Sequence, residues 1–117
     1  MNTIEEIIHS PVIDGLTVIK LDTFQDYRGE IWTVYSEEFT NLNFIADKIT
    51  KSRFGVLRGF HGDSHTAKLI TCLSGQFQFA VVDLRKDSKT YGNKQTFLVS
   101  DYEPSDCHLS LRTRVLL

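Results

Sequence analysis

The sequence predicts an all-β domain, a sandwich or barrel of about six to eight short strands. β-Branched and aromatic residues gather into runs of six to nine residues, several with alternating apolar and polar positions. Turn-forming Gly, Asp, Ser and Asn separate these runs at near-regular intervals. No amphipathic helix stands between them, which excludes a doubly wound α/β fold.

In chain order, "IEEII" (4–8) and "SEEFTNL" (36–42) are the two stretches with helical spacing, and both are short. "LTVIKLD" (16–22) alternates. So does "EIWTVYS" (30–36), with Ile31, Thr33 and Tyr35 on one face and Trp32 and Val34 on the other. "NFIADKITK" (43–51) reads as a strand on which Ile45, Asp47 and Ile49 share a face. "QFQFAVVDL" (76–84) is the clearest strand: Phe77, Phe79 and Val81 face one way, Gln76 and Gln78 the other. "QTFLVS" (95–100) is a further short strand, and turns fall at "SPVIDG", "QDYRG", "LSGQ" and "KDSKTYGN". The last stretch, "DYEPSDCHLSLRTRVLL", has no strand period before residue 108, and a strand over "HLSLRTRVLL" is its one regular reading.

A chain of 117 residues fits a single domain, 1–117, with an ordinary globular balance of 41% hydrophobic and 24% charged residues. A formal net charge of -2 argues against a general nucleic-acid binder and leaves room for a small basic pocket. Cys72, within "LITCL", and Cys107 lie far apart without zinc spacing, so a buried thiol and a surface thiol in a reducing compartment are expected. No apolar run approaches the ~18 residues of a membrane span. Glu5 and Glu6 stand where a signal peptide would carry Lys or Arg, so a cytoplasmic location is expected.

The stretch that carries chemistry is "GVLRGFHGD" (55–63). Arg58 and His61 lie three residues apart, fenced by Gly55, Gly59 and Gly62. In a regular strand they would point to opposite faces, but a bulge at Gly59 would bring them together. Lys68 follows the polar turn "GDSHT", and a hairpin through that turn would return it beside His61. An imidazole, a guanidinium and an ammonium at one barrel mouth suit an oxyanion-bearing or phosphorylated substrate and a base working near neutral pH. The plainer alternative is a half-buried barrel histidine among solvated edge charges, and spacing alone favours it. His61 and His65 are split by a Gly-rich turn, with no HxH and no Glu at ligand spacing, so no metal is expected. "FQDYRGEI" (24–31) reads as a hairpin corner with Arg28 at the surface.

Taken together, "FxDxRG" (24–29), "SxxGVLRGxH" (52–61), "KL" (68–69), Gly75 and "VDLRKDSKTYG" (82–92) resemble the dTDP-4-dehydrorhamnose 3,5-epimerase family over residues 12–100. "RGEIWT" and "HGD" resemble more narrowly the epimerases of GDP-linked 6-deoxy-4-keto-heptoses. The resemblance implies a jelly-roll, cupin-like barrel, a homodimer with strand exchange, no cofactor, and a 4-keto-6-deoxy nucleotide sugar epimerised at C3 and/or C5 for surface polysaccharide. His61 would be the base and Lys68 would stabilise the enolate oxygen. Arg58 would sit near the sugar or diphosphate. Phe24 and Arg28 would reach the partner subunit's site and contact the nucleotide.

Ala46, Asp47 and Lys48 fall where the resemblance places a substrate-contacting segment, usually of amide side chains; Lys48 replaces a neutral group there, and Thr33 stands where many members have Glu. Asp83 is a candidate orienter of His61, with a structural strand-end role as the equal alternative. After the strand matched by "QTFLVS" the family carries a second histidine, an acid tyrosine and an aspartate paired with the base. Tyr102 and His108 do not stand at those positions. A barrel incomplete from about residue 101 is therefore expected, the other reading being a catalytically impaired nucleotide-sugar-binding or structural fragment.

Overall fold

A computed structural model describes residues 4–39, 43–62 and 67–101, together with the backbone of two short strands at 108–111 and 115–116. Nine strands follow in order: β1 (Ile4–His9), β2 (Leu16–Leu21), β3 (Thr23–Asp26), β4 (Gly29–Trp32), β5 (Lys68–Ile70), β6 (Gln76–Asp83), β7 (Lys94–Ser100), β8 (His108–Leu111) and β9 (Val115–Leu116). There is no α-helix among the described residues, only a single 3-10 turn at Glu37–Phe39. The all-β expectation holds. The strands form a four-stranded sheet in the order β1-β2-β8-β5, a β3-β4 ribbon and a three-stranded sheet β7-β6-β9. Every pairing is antiparallel.

β2 explains how the layers hold together. Its side chains alternate, and both faces are buried. Leu16 packs with Val81 of β6 and Ile13, while Val18 packs toward Val99 of β7 and Cys72. On the opposite face Ile19 and Leu21 meet Phe39, Trp32 and Leu69. β2 thus lies between the three-stranded sheet and the β3-β4 side, and each fully buried aliphatic contributes roughly 1.5–3 kcal/mol. On β6 the expected alternation holds only in the second half: Val81 is buried and Phe79 lines two core clusters, but Phe77 is 38% exposed and its neighbours Gln76 and Gln78 are exposed as well. Cys72 is the buried thiol, whereas Cys107 lies outside the described residues.

Three local expectations are corrected. "IEEII" forms β1 and not a helix, because pairing with β2 satisfies its backbone and five residues are too few to nucleate a helix alone. "EIWTVYS" is strand only as far as Trp32. "NFIADKITK" forms no regular strand: residues 43–62 run without assigned secondary structure except a turn at 54–55. Gly55 and Gly59 there have φ of +80° and +123°, values that interrupt a ladder and that L side chains rarely adopt. "SEEFTNL" begins with the 3-10 turn, and its residues 40–42 lie outside the described residues.

The β1–β2 corner is tied to the far end of β6–β7 by polar groups. Asp83 is fully buried at the end of β6. Its Oδ1 accepts from the Arg85 backbone N–H (3.0 Å) and Arg85 Nε (2.9 Å), and its Oδ2 from Arg85 Nη2 (2.9 Å), Ser88 Oγ (2.6 Å) and Thr90 Oγ1 (2.6 Å). Arg85 also donates to the Asp14 carbonyl. Thr90 Oγ1 accepts from the Asp14 N–H at 3.0 Å, and Asn93 Nδ2 donates to the Val12 carbonyl at 2.8 Å. Ser10 Oγ accepts from the Val12 and Ile13 N–H groups and donates to Gln95 Oε1. Burial opposes ionisation of Asp83, but the donors outweigh it and hold the carboxyl well below the usual carboxylate range.

Candidate functional site

The site residues fall on three parts of the chain. The first is the β3-β4 hairpin. Asp26 makes its turn: Oδ1 accepts the Arg28 backbone N–H at 2.8 Å, and Oδ2 accepts Arg28 Nη2 at 2.6 Å and Nε at 3.1 Å. Those bonds lower the Asp26 carboxyl from its ordinary value. They also fix the guanidinium, which lies 5.9 Å from the Tyr27 ring centroid. Arg28 is at the surface, as the hairpin corner predicts, with 72% of its side chain exposed. Phe24, cross-strand from Ile31, is half exposed, and Tyr27 at the tip is almost wholly exposed. Thr33 is half-buried just after β4.

The second part is the irregular ribbon 43–62, which carries Asp47, Lys48, Arg58 and His61, all exposed. Arg58 Nε donates to Ser52 Oγ at 2.9 Å, so the two ends of "SxxGVLR" hold each other. The ribbon has four cations, Lys48, Lys51, Arg53 and Arg58, against the single carboxylate of Asp47. In a chain with a formal net charge of -2 this is a local concentration of positive charge suited to a diphosphate.

The third part is Lys68, half-buried at the start of β5. A hairpin returning it beside His61 was expected, but its strand partner is β8, where Lys68 faces Leu111. No hydrogen bond among the described residues links Arg58, His61 and Lys68, and residues 63–66 of the intervening turn lie outside the described set.

The Asp83 side chain, expected either to orient His61 or to close a strand end, accepts its described hydrogen bonds from Arg85, Ser88 and Thr90, the arrangement of a strand-end carboxylate. The signal was present in "DLRKDSKT": donors at the second, fifth and seventh positions after an aspartate are those a loop needs to wrap around one carboxylate. Asp26 was read only as a turn former, yet it is the residue that fixes Arg28.

An antiparallel, two-layered strand arrangement of this kind is a cupin-type jelly roll, with polar site residues on a hairpin, a ribbon and one strand of the barrel. The chain belongs to the dTDP-4-dehydrorhamnose 3,5-epimerase family, whose model matches residues 11–109. It is 32% identical over 96 residues to the dTDP-4-dehydrorhamnose 3,5-epimerase of Methanothermobacter thermautotrophicus, a match covering 76% of this chain and 52% of that protein. The crystal structure of dTDP-4-dehydrorhamnose 3,5-epimerase from Elizabethkingia anophelis superposes with a TM-score of 0.78 at 30% identity, covering 98% of this chain and 66% of the other. That of the Legionella pneumophila dTDP-6-deoxy-D-glucose-3,5-epimerase, in complex with dTDP-4-keto-L-rhamnose, superposes with a TM-score of 0.81 at 28% identity, covering 95% and 62%. The chain therefore spans about half the length of the curated relatives it matches.

Proposed function

We propose that this chain carries the base side of an epimerase that inverts C3 and/or C5 of a 4-keto-6-deoxy nucleotide sugar. The observation that carries the reading is family membership across residues 11–109, with "GVLRGFH" intact inside the match. A ketone at C4 acidifies the neighbouring C–H bonds. His61 removes one proton, the electron pair moves onto the carbonyl oxygen as an enolate, and the carbon takes a proton back on its other face. The step is redox-neutral, and nothing but protons enters or leaves.

Lys68 neutralises the enolate oxygen and Arg58 binds the sugar or diphosphate. Asp47, Lys48 and Thr33 contact the substrate. Phe24 and Arg28 contact the nucleotide across a homodimer, supported by the protruding hairpin with exposed Phe24, Tyr27 and Ile31. The reaction belongs in the cytoplasm; no helix among the described residues is long and apolar enough to cross a membrane.

The test is isotope exchange. Incubation with dTDP-4-keto-6-deoxyglucose in heavy water should place deuterium at C3 or C5, and His61→Ala should slow this by at least about a hundredfold. Equal exchange by parent and variant overturns the base assignment.

A further inference from the structure

We propose that Asp26 is a positioning residue for nucleotide recognition: it holds one edge of the Arg28 guanidinium and turns the other edge toward a phosphate group. This role rests on the reading that Arg28 contacts the nucleotide. Asp26 Oδ1 makes the hairpin turn by accepting the Arg28 backbone N–H at 2.8 Å. Its Oδ2 is not needed for that turn, and accepts Arg28 Nη2 at 2.6 Å and Nε at 3.1 Å. One carboxylate thus holds both the backbone and the side chain of the same residue.

The two partners are unequally free. The Asp26 side chain is 26% exposed, against 72% for Arg28. The carboxylate is therefore the fixed member and the guanidinium the held one. An arginine fork has five N–H donors. Oδ2 takes Nε and one hydrogen of Nη2, the side-on edge. The end-on edge, Nη1 with the remaining hydrogen of Nη2, has the spacing to hold two oxygens of one phosphate. Among the described residues no hydrogen bond of Arg28 uses Nη1.

An exposed ion pair adds little stability, so the value of this one lies in orientation. Without Asp26 the nucleotide must itself order a long, rotamer-rich side chain, which costs roughly fivefold in affinity. The carboxylate also repels a phosphate on the far edge. Across roughly 6 Å of exposed guanidinium that repulsion is about a twofold effect at physiological salt. Ordering outweighs repulsion, so the acid aids binding although it carries the sign of the ligand.

Calorimetric titration of the full 117-residue chain with dTDP tests this. Asp26→Asn is the variant of choice: its amide oxygen can still accept the Arg28 backbone N–H, while its NH2 meets the guanidinium as a second donor. Binding of dTDP should weaken about two- to threefold. On an Arg28→Gln background the same substitution should no longer weaken binding, a result that a role in shaping the hairpin alone would not produce. If Asp26→Asn binds as tightly as the parent or tighter, while Arg28→Gln binds more weakly, the positioning role is overturned and the Arg28 contact stands. An equal loss on both backgrounds has the same meaning. If Arg28→Gln binds like the parent, or the parent does not take up dTDP, the Arg28 contact itself is overturned, and the role of Asp26 with it.

Discussion

Replacing Asp83 by Asn tests how the two ends of the domain are joined. The substitution keeps shape and volume but removes the charge and turns an amide NH2 toward groups that are themselves donors. In the parent, one fully buried carboxylate takes two bonds from the Arg85 side chain and one each from Ser88 and Thr90, while the Arg85 side chain is only 16% exposed. Removing one partner of a buried pair costs about 3–5 kcal/mol, and Asn, which still accepts one bond, falls near the lower end. For a domain of this size about 1 kcal/mol moves the melting temperature by roughly 4 °C, so a fall of about 12 °C near neutral pH is expected.

The pH dependence has a definite sign. The Asp83 carboxyl is held below its ordinary value, so its stabilisation is present above about pH 4 and is lost as the pH falls from there. The gap in melting temperature between parent and variant should therefore be flat from pH 7 to 5 and narrow below about pH 4. Circular dichroism melts at several pH values measure it. A gap that persists unchanged to pH 3, or a variant melting within about 2 °C of the parent at pH 7, would refute the reasoning. Deuterium exchange adds a second readout: with Asp83 structural, the rate per folded molecule should be retained, whereas an orienter of His61 would lose it with folding intact.

Ile19→Ala, which empties the face of β2 packed on Phe39 and Leu21, should cost about 3 kcal/mol, read by urea denaturation of the single Trp32's fluorescence. Arg28→Gln should leave the melt unchanged, because the Asp26 pair is exposed, while weakening dTDP binding measured by calorimetry. Burial, with the charge of Asp101 adding to it, raises the Cys72 thiol. In a Cys107→Ser background, disulfide-exchange labelling of Cys72 should accordingly follow the unfolding rate and not the pH of the native protein.

The legible parts of the fold were those whose pattern is local. β2, β6 and β7 were readable because apolar alternation along a strand marks it as part of a sheet: the structure buries Val81 of β6 and Val99 of β7, although β2 is buried on both faces and Phe77 is 38% exposed. β1 was misread because "IEEII" has a helical spacing by accident of length, and only the partner strand β2 decides its state. The segment 43–51 was misread for the converse reason: it has a strand's pattern, but no described strand pairs with it. At the site, the Arg28 corner was legible because Asp26 and Gly29 are turn formers two and one residues away. The role of Asp83 was harder to choose, since an aspartate at a strand end satisfies a loop or a catalytic base equally well until its donors are placed.

Stability and chemistry are separated along this chain. Its buried ion pair closes the end of β6, and its core clusters draw on β1, β2, β4, β5, β6, β7, the 3-10 turn and adjoining loops; none of them includes His61, Arg58 or Lys48. Of the residues proposed for proton transfer and anion binding, His61, Arg58 and Lys48 sit instead on an exposed ribbon whose glycines hold conformations a strand would not adopt, while Lys68 opens β5 beside core-packed Leu69. Asp83→Asn, acting at the end of β6 and not on the ribbon, should therefore shift the melt and leave the deuterium-exchange rate per folded molecule in place.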